Sequence, residues 1–312
     1  MNPILFLARP LPGVELSPVS NLLEVRGGER ALTAAELARE AADATVLAVT
    51  YVDHVDEALL AALPRLRHVA SYGVGVNHID LAACRTRGVL VTNTPGVVTV
   101  ATADQTMALL LAAARRIAEG DRVVRRGGWT EADPGWMLGT EVTGKTIGIV
   151  GFGRIGQAVA KRAAGFDLRV VYTARRDVAF AGATRLELDA LLAEADFVTL
   201  HVPLTPETRG LLGRRRLSRM KPGAILVNAA RGGVVDEDAL ADALAEGRLA
   251  AAGLDVFEGE PKVNPRLLAL ENVVLAPHLG SGTRETRFAM TRMVIEEIAR
   301  VARGEPPRHR VA

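Results

Sequence analysis

The 312-residue sequence predicts an α/β protein made of two doubly wound parallel-sheet domains. Two observations predict this class. Short runs rich in β-branched residues alternate with helical segments along most of the chain, which is the pattern of parallel strands joined by crossover helices. This alternation stops at residues 127–139 and then resumes, which indicates two successive sheets. Because 49% of the residues are hydrophobic, the chain has enough apolar material for two cores.

The first domain is expected to comprise residues 1–98 and 281–312. Thr33 and Glu36 have the spacing of a capping box, which indicates that a helix begins there. The last helical pattern, residues 284–303, is expected to complete this domain. Short strands separated by short helices predict a flavodoxin-like unit. The expected strands are residues 4–7, 45–49, 67–71 and 89–92, and the other expected helices are residues 58–63 and 81–86.

The second domain is expected to span residues 99–280. It opens with a helical pattern over residues 99–126, and the aperiodic residues 127–139 are interpreted as a connector or an arm. Asp236 and Gly247 predict the start and the end of a helix over residues 237–245. The expected strands are residues 146–150, 168–172, 197–201, 224–228, 250–255 and 273–276, and the other expected helices are residues 154–164 and 188–193.

Charge and cysteine content exclude several classes of protein. The chain has 38 basic and 36 acidic residues, and this near balance gives no indication of a nucleic-acid or membrane partner. No apolar run reaches the roughly 20 residues that span a bilayer. Cys84 is the only cysteine and cannot form an intramolecular disulfide. We therefore expect a soluble cytoplasmic protein that has no metal site and no appended regulatory domain.

A glycine-rich loop joins the first strand and helix of the second domain. Gly151 would permit a tight turn, Gly153 would let the backbone approach a pyrophosphate, and Gly156 would let the helix pack closely on the strand. The helix N-terminus adds amide donors for the phosphates. An apolar strand before the loop and a helix after it are the context that this motif needs, so the loop predicts a Rossmann dinucleotide-binding domain. The alternative is a glycine turn that binds nothing.

The choice between NAD(H) and NADP(H) is expected to depend on the turn after the next strand. Thr173 stands where NAD-binding domains place an acid, and Arg175 and Arg176 follow it. Guanidinium groups bind a 2′-phosphate well, so the turn favours NADP(H) over NAD(H). The alternative is that both arginines belong to a solvated turn.

Three charged residues follow three successive predicted strands of this domain. They are Arg231, Glu260 and His278, and the carboxyl ends of parallel strands line the ligand crevice. Reduction of a 2-oxo acid needs a cation for the carboxylate, a proton donor for the carbonyl oxygen, and a carboxylate that keeps this donor protonated. These residues can supply the three functions in the order Arg231, His278 and Glu260. Taken singly, each residue could instead be a surface ion-pair member, a loop acid or a helix cap.

The strings GKTIGIVGFGRIGQAVAKRA, NAARGGVVDEDAL, GLDVFEGEP and PHLGS resemble the signature regions of the D-isomer-specific 2-hydroxyacid dehydrogenases. Within that family the glyoxylate/hydroxypyruvate reductases are most similar. The resemblance implies that Arg231, Glu260 and His278 are catalytic and that the substrate is a small 2-oxo acid, with glyoxylate or hydroxypyruvate favoured. It also implies that the first domain binds substrate, and that the backbone amides of Val74 and Gly75 hold its carboxylate.

The resemblance further implies a homodimer with a dimerisation arm over residues 99–139, which makes Trp136 a candidate for contact with the partner subunit's site. Beyond the three glycines and the turn at Thr173, cofactor contacts are expected at Arg154, Ile155, His201, Pro203, Thr208, Ala229, Asp255, Gly280 and Thr102.

The sequence departs from the family's pattern at three positions. Asn77 replaces an acid, Val100 replaces an aspartate, and Tyr51 stands where the reductases often carry a smaller apolar residue close to the substrate. Tyr51 therefore leaves the substrate open, and a larger, phosphorylated or phosphonate 2-oxo acid is the alternative. A second alternative is a non-catalytic protein that senses NAD(P), because fold alone does not establish function.

Overall fold

The computed structural model describes residues 3–312 and divides the chain into two compact units. Unit 1 comprises Met1–Val98 and Gly282–Ala312, and unit 2 comprises Thr99–Ser281. Each unit is built on one parallel sheet, of five strands in unit 1 and seven in unit 2. The predicted α/β class with two doubly wound parallel sheets is therefore confirmed.

Unit 1 has the strand order β2-β1-β3-β4-β5. Its first helix begins as predicted, because the Thr33 side chain accepts a hydrogen bond from the Glu36 amide and the Glu36 carboxylate accepts one from the Thr33 amide. The C-terminal helix Arg284–Ala302 contributes to an apolar core beneath β1, β3 and β4. The strands are β1 Ile4–Leu7, β2 Glu24–Gly27, β3 Val46–Thr50, β4 His68–Tyr72 and β5 Leu90–Thr92, and the other helices are α1 Ala34–Glu40, α2 Glu57–Ala62 and α3 Leu81–Thr86.

A buried histidine in β4 makes the stability of unit 1 dependent on pH. His68 Nε2 lies 2.8 Å from Thr92 Oγ1, and burial lowers the pKa of His68 from 6.5 to about 4. The unfolded chain therefore binds a proton that the folded chain does not, and stability falls as the pH drops from 6.5 toward 4. We expect this group to reduce the free energy of unfolding by about 2 kcal/mol at pH 5.

Urea unfolding of the wild type and of His68→Gln at pH 7.5 and pH 5 measures this effect. The glutamine amide can still bond to Thr92 but does not titrate, so the variant is expected to lose less stability between the two pH values than the wild type. An equal loss in both proteins would show that His68 is not the group responsible.

Unit 2 has the strand order β12-β11-β10-β9-β6-β7-β8. All strands are parallel, and the order in which the chain adds them reverses between β6 and β9. Separate apolar clusters cover the two faces of this sheet. The strands are β6 Thr146–Val150, β7 Arg169–Thr173, β8 Ala183–Arg185, β9 Phe197–Leu200, β10 Ala224–Asn228, β11 Leu249–Leu254 and β12 Val273–Leu275. The helices are α4 Thr99–Ala114, α5 Ile117–Arg125, α6 Arg154–Ala163, α7 Leu188–Glu194, α8 Arg214–Leu217, α9 Glu237–Ala245 and α10 Pro265–Leu268.

The structure differs from the sequence predictions in several places, and the short helices α8 and α10 are among the elements that were not predicted. The continuous helical pattern over residues 99–126 is two helices, because Arg116 takes a left-handed conformation with φ 52° and breaks the helix between α4 and α5. The edge strands β2 and β8 were not predicted. Residues 127–139 contain neither helix nor strand, as predicted. Among residues 3–312, no helix is both long and apolar enough to cross a membrane.

Candidate active site

The glycine loop lies between β6 and α6, and its three glycines meet different steric requirements. Gly151 has φ +94°, and a Cβ there would lie 2.5 Å from the His201 carbonyl oxygen. A Cβ on Gly156 would lie 2.2 Å from the Gly151 carbonyl oxygen, so this glycine permits close packing of helix and strand. Among residues 3–312, no atom outside Gly153 and its two chain neighbours lies within 4 Å of the position of a Cβ on Gly153. This open cradle at the start of α6 fits the pyrophosphate of a dinucleotide, with Arg154 and Ile155 in the first turn.

Because Gly153 is open and Gly156 is tightly packed, substitutions at these two glycines are expected to affect different properties: dinucleotide binding at Gly153 and stability at Gly156. Gly153 has an ordinary φ of −77°, so Gly153→Ala is expected to keep its thermal stability but to weaken dinucleotide binding about tenfold or more, because the methyl group occupies the cradle. Gly156→Ala is expected to cost about 1–3 kcal/mol of stability, since the backbone must separate to admit the methyl group. Fluorescence titration with the dinucleotide and thermal denaturation measure the two effects. Equal dinucleotide affinity in Gly153→Ala and the wild type would contradict the assignment.

The turn after β7 carries the residues predicted to select the cofactor. Tyr172 closes the turn, because its hydroxyl lies within hydrogen-bond distance of two acceptors, the Val178 carbonyl oxygen at 2.8 Å and Asp177 Oδ1 at 3.0 Å. Thr173 ends the strand, and the exposed Arg175 and Arg176 follow. Arg185, which sequence reasoning missed, donates to the Ala174 carbonyl oxygen at 3.0 Å.

Two carboxylates near this turn were also missed by the sequence reasoning. Asp177 is one, and its Oδ1 accepts the Tyr172 hydroxyl. Glu207 is the other. Its pKa is lowered mainly by a hydrogen bond with the Thr205 side chain, and the charge of Arg175 contributes in the same direction. The turn therefore contains charges of both signs, with arginine in the majority.

The ends of β11 and β12 bring Glu260 and His278 into contact. His278 Nδ1 lies 2.7 Å from Glu260 Oε2, and both side chains are about four-fifths buried, with 21% and 19% exposed. The other carboxylate oxygen of Glu260 accepts the Phe257 amide at 2.9 Å. His278 has φ 53°, an uncommon conformation for a residue other than glycine, and such residues are concentrated at functional sites.

Arg231 follows β10 and acts electrostatically on the same carboxylate. Burial lowers the pKa of the Arg231 guanidinium, and the charge of Glu260 opposes this effect. Burial also acts to raise the pKa of Glu260, but the hydrogen bond and charge of His278, the Phe257 amide and the charge of Arg231 together bring that pKa below its ordinary value. Glu260 is therefore a carboxylate at neutral pH, and it favours a proton on His278 Nδ1.

Two buried side chains hold the loops that carry these residues. Asn228 Nδ2 donates to the Arg231 carbonyl oxygen at 2.9 Å, and Asn228 Oδ1 accepts the Ala230 amide at 3.0 Å. Asp255 accepts the amides of Leu279 and Gly280, both at 2.7 Å. Sequence reasoning missed Asn228, although its position at the strand end just before Arg231 was a signal that could have identified it.

The other predicted cofactor contacts also lie at carboxyl ends of strands or beside them. Thr102 in α4 donates to the Gly280 carbonyl oxygen at 3.1 Å. His201 follows β9, and burial lowers its pKa to about 4, so it is neutral at pH 7. Thr208 Oγ1 donates to the Pro203 carbonyl oxygen at 2.6 Å and so closes the loop after β9. Ala229 lies between Asn228 and Arg231.

The residues predicted to bind substrate in unit 1 lie at the ends of β3 and β4. Tyr51 follows β3 and is exposed. Residues 72–76, called the substrate loop below, begin at the last residue of β4 and include the exposed Val74 and the half-buried Gly75. Gly73 has φ +153°, a conformation that favours glycine.

Comparison with known proteins shows which family the chain resembles over most of its length. The family model described as D-isomer specific 2-hydroxyacid dehydrogenase, NAD binding domain, matches residues 107–280. Glyoxylate reductase of Thermococcus litoralis is 46% identical over 317 residues, which cover 98% of this chain and 96% of the relative. A crystal structure of a Thermus thermophilus protein has a TM-score of 0.92 and 46% identity, and covers 99% of both chains.

A crystal structure of an NADPH-dependent glyoxylate/hydroxypyruvate reductase from Sinorhizobium meliloti, in complex with NADP and malonate, has a TM-score of 0.87 and 33% identity, and covers 100% of this chain and 97% of that one. The fold, the glycine cradle and these similarities define an NAD(P)-dependent oxidoreductase that reduces a 2-oxo acid. The chain belongs to the family of D-isomer specific 2-hydroxyacid dehydrogenases, so the resemblance predicted from its motifs is confirmed.

Proposed function

We propose that this enzyme reduces glyoxylate or hydroxypyruvate with NADPH, and that Arg231, Glu260 and His278 are its catalytic residues. The observation that carries the proposal is the 2.7 Å contact between His278 Nδ1 and the ionised Glu260, whose charge also acts on the partly buried Arg231. The names of the relatives support the substrate, since they include glyoxylate reductase and glyoxylate/hydroxypyruvate reductase.

The proposed roles follow from the chemistry of each side chain. Arg231 binds the substrate carboxylate and polarises the carbonyl, because a guanidinium offers paired donors in a plane. His278 donates a proton from Nε2 to the carbonyl oxygen, while Glu260 orients the ring through the hydrogen bond to Nδ1. Residues of the glycine cradle hold the dinucleotide, which supplies the hydride when bound.

Preference for NADPH is supported by the cations of the turn after β7. Arg175 and Arg176 are exposed there, and Arg185 is anchored to the same turn. The double variant Arg175→Ser/Arg176→Ser is expected to lower kcat/KM for NADPH about tenfold or more while leaving that for NADH almost unchanged, since only NADPH carries the 2′-phosphate. Arg169→Ser is the control, because Arg169 lies on β7 at the opposite end from this turn. A wild-type enzyme that prefers NADH would contradict this part of the proposal.

A homodimer is supported by the apolar residues that the segment 99–139 exposes. Ile117, Val124, Trp129, Trp136 and Leu138 are large hydrophobic residues with at least two-fifths of their surface exposed. Such a concentration is typical of a protein interface. Light scattering with size-exclusion chromatography measures the mass, and a monomer at micromolar concentration would contradict the proposal.

The single cysteine fits the proposed cytoplasmic setting.

Turnover assays test the reaction itself. Glyoxylate, hydroxypyruvate, pyruvate and larger 2-oxo acids are each assayed with NADPH and with NADH. We expect the highest kcat/KM for glyoxylate or hydroxypyruvate. A preference for a larger acid would replace the proposed substrate, and an absence of turnover with all of them would favour a protein that only senses NAD(P).

A further inference from the structure

Two residues that follow β5 donate hydrogen bonds to two carbonyl groups of the substrate loop. The Thr94 amide donates to the Gly73 carbonyl oxygen at 3.1 Å, and Asn93 Nδ2 donates to the Val74 carbonyl oxygen at 2.8 Å. Asn93 is itself anchored, because its backbone amide donates to the His309 carbonyl oxygen at 3.2 Å. The directions of two successive loop carbonyls are therefore set from outside the loop.

The same two bonds determine where the loop amides point. In a planar trans peptide the C=O and N–H bonds point in opposite directions. The Gly73 carbonyl shares a peptide group with the Val74 N–H, and the Val74 carbonyl shares one with the Gly75 N–H. Both N–H groups therefore point away from Asn93 and Thr94. Within residues 3–312, neither of these N–H groups donates a hydrogen bond to another protein group.

Two successive N–H groups that point the same way concentrate positive partial charge and suit an anion. A carboxylate has two oxygens that can accept both bonds, and bonds to an ionised acceptor are stronger than neutral ones. We propose that Asn93 is a positioning residue for the substrate: its carboxamide holds the Val74–Gly75 peptide so that the Gly75 N–H, beside that of Val74, binds the carboxylate of the 2-oxo acid. This inference rests on the proposed function, which assigns a 2-oxo acid to the enzyme.

Two variants of Asn93 test the inference in the intact enzyme. Asn93→Ala removes the donor to Val74, and Asn93→Asp keeps the shape but presents oxygens that repel the Val74 carbonyl. We expect KM for glyoxylate to rise about tenfold in Asn93→Ala and further in Asn93→Asp, while kcat and KM for NADPH stay within about twofold of the wild type, because the lost interaction is one of substrate binding.

Thr291→Ala is a matched control in the same unit. The Thr291 hydroxyl also holds a loop carbonyl, that of Pro12, at 2.7 Å. This variant is expected to lose thermal stability without a change in KM for glyoxylate. If Asn93→Ala has the KM of the wild type, or if its kcat and both KM values worsen together as its stability falls, Asn93 has only a structural role and the inference is wrong.

Calorimetric titration with oxamate in the presence of NADPH separates this inference from the proposed function. Oxamate carries the same carboxylate as the 2-oxo acids, and its binding can be measured without any reduction. Weaker oxamate binding by both Asn93 variants supports the inference even if no 2-oxo acid is turned over. Equal binding by the wild type and the variants overturns it while leaving the proposed function intact. A wild-type enzyme that neither reduces a 2-oxo acid nor binds oxamate overturns both.

Discussion

His278→Gln is expected to lower kcat for 2-oxo acid reduction by about 10²–10⁴-fold, which is the usual contribution of a positioned proton donor. The glutamine side chain is similar in size to histidine and can donate a hydrogen bond to Glu260, so the loop after β12 should keep its conformation. It cannot release a proton to an alkoxide near neutral pH. Rapid measurement of NADPH oxidation at saturating substrate gives kcat directly.

His54→Gln is the matched control, because His54 is exposed and lies in unit 1 outside every predicted contact. It should have the kcat of the wild type. KM for NADPH in His278→Gln should also stay close to that of the wild type, since we propose that the glycine cradle holds the cofactor. A His278→Gln enzyme with unaltered kcat would remove His278 from the chemistry, and would leave the Glu260 contact as a structural ion pair.

Local signals explain why much of this site could be predicted from the sequence. The glycine loop is a continuous motif whose three positions have separate steric functions, and the structure shows each of those steric conditions. The positions of Arg231 and His278 could also be predicted from the sequence. Each follows an apolar strand, and this order places the residue at the carboxyl edge of a parallel sheet. The contact between Glu260 and His278 follows from that shared edge.

Other features depend on partners that are distant in the sequence or on weak local signals. Asp255 holds the amides of residues 279–280, and Asn93 holds the Val74 carbonyl, and neither pairing leaves a pattern in the sequence. The edge strands β2 and β8 are short and mostly unburied, so they lack the apolar run that predicts a strand. Arg116 breaks the helix between α4 and α5 without the glycine or proline that usually marks such a break.

Arg231→Ala is expected to lower kcat/KM for the 2-oxo acid by about 10²–10³-fold, mainly through a higher KM. The Arg231 side chain is partly buried; burial lowers the pKa of its guanidinium, and the charge of Glu260 opposes that effect. Steady-state kinetics over a wide range of glyoxylate concentration separate the two parameters. A fall confined to kcat would mean that Arg231 acts only in the transition state, and an unchanged kcat/KM would exclude it from the site.

Two further variants show whether charge or geometry is responsible. Arg231→Lys keeps the charge but loses the planar pair of donors, so it should restore only part of the binding. Arg209→Ala removes an exposed arginine of the same unit that pairs with Glu258 at 3.0 Å, and it should change kcat/KM little, because exposed ion pairs contribute little.

The effect of burial on the Arg231 pKa also predicts the charge of the ligand that this side chain binds best. Glu260 opposes the effect of burial on the Arg231 pKa without reversing it. We therefore expect a substrate carboxylate to bind well, because it would add negative charge beside this cation, and we expect the amide or ester of the same acid to bind weakly.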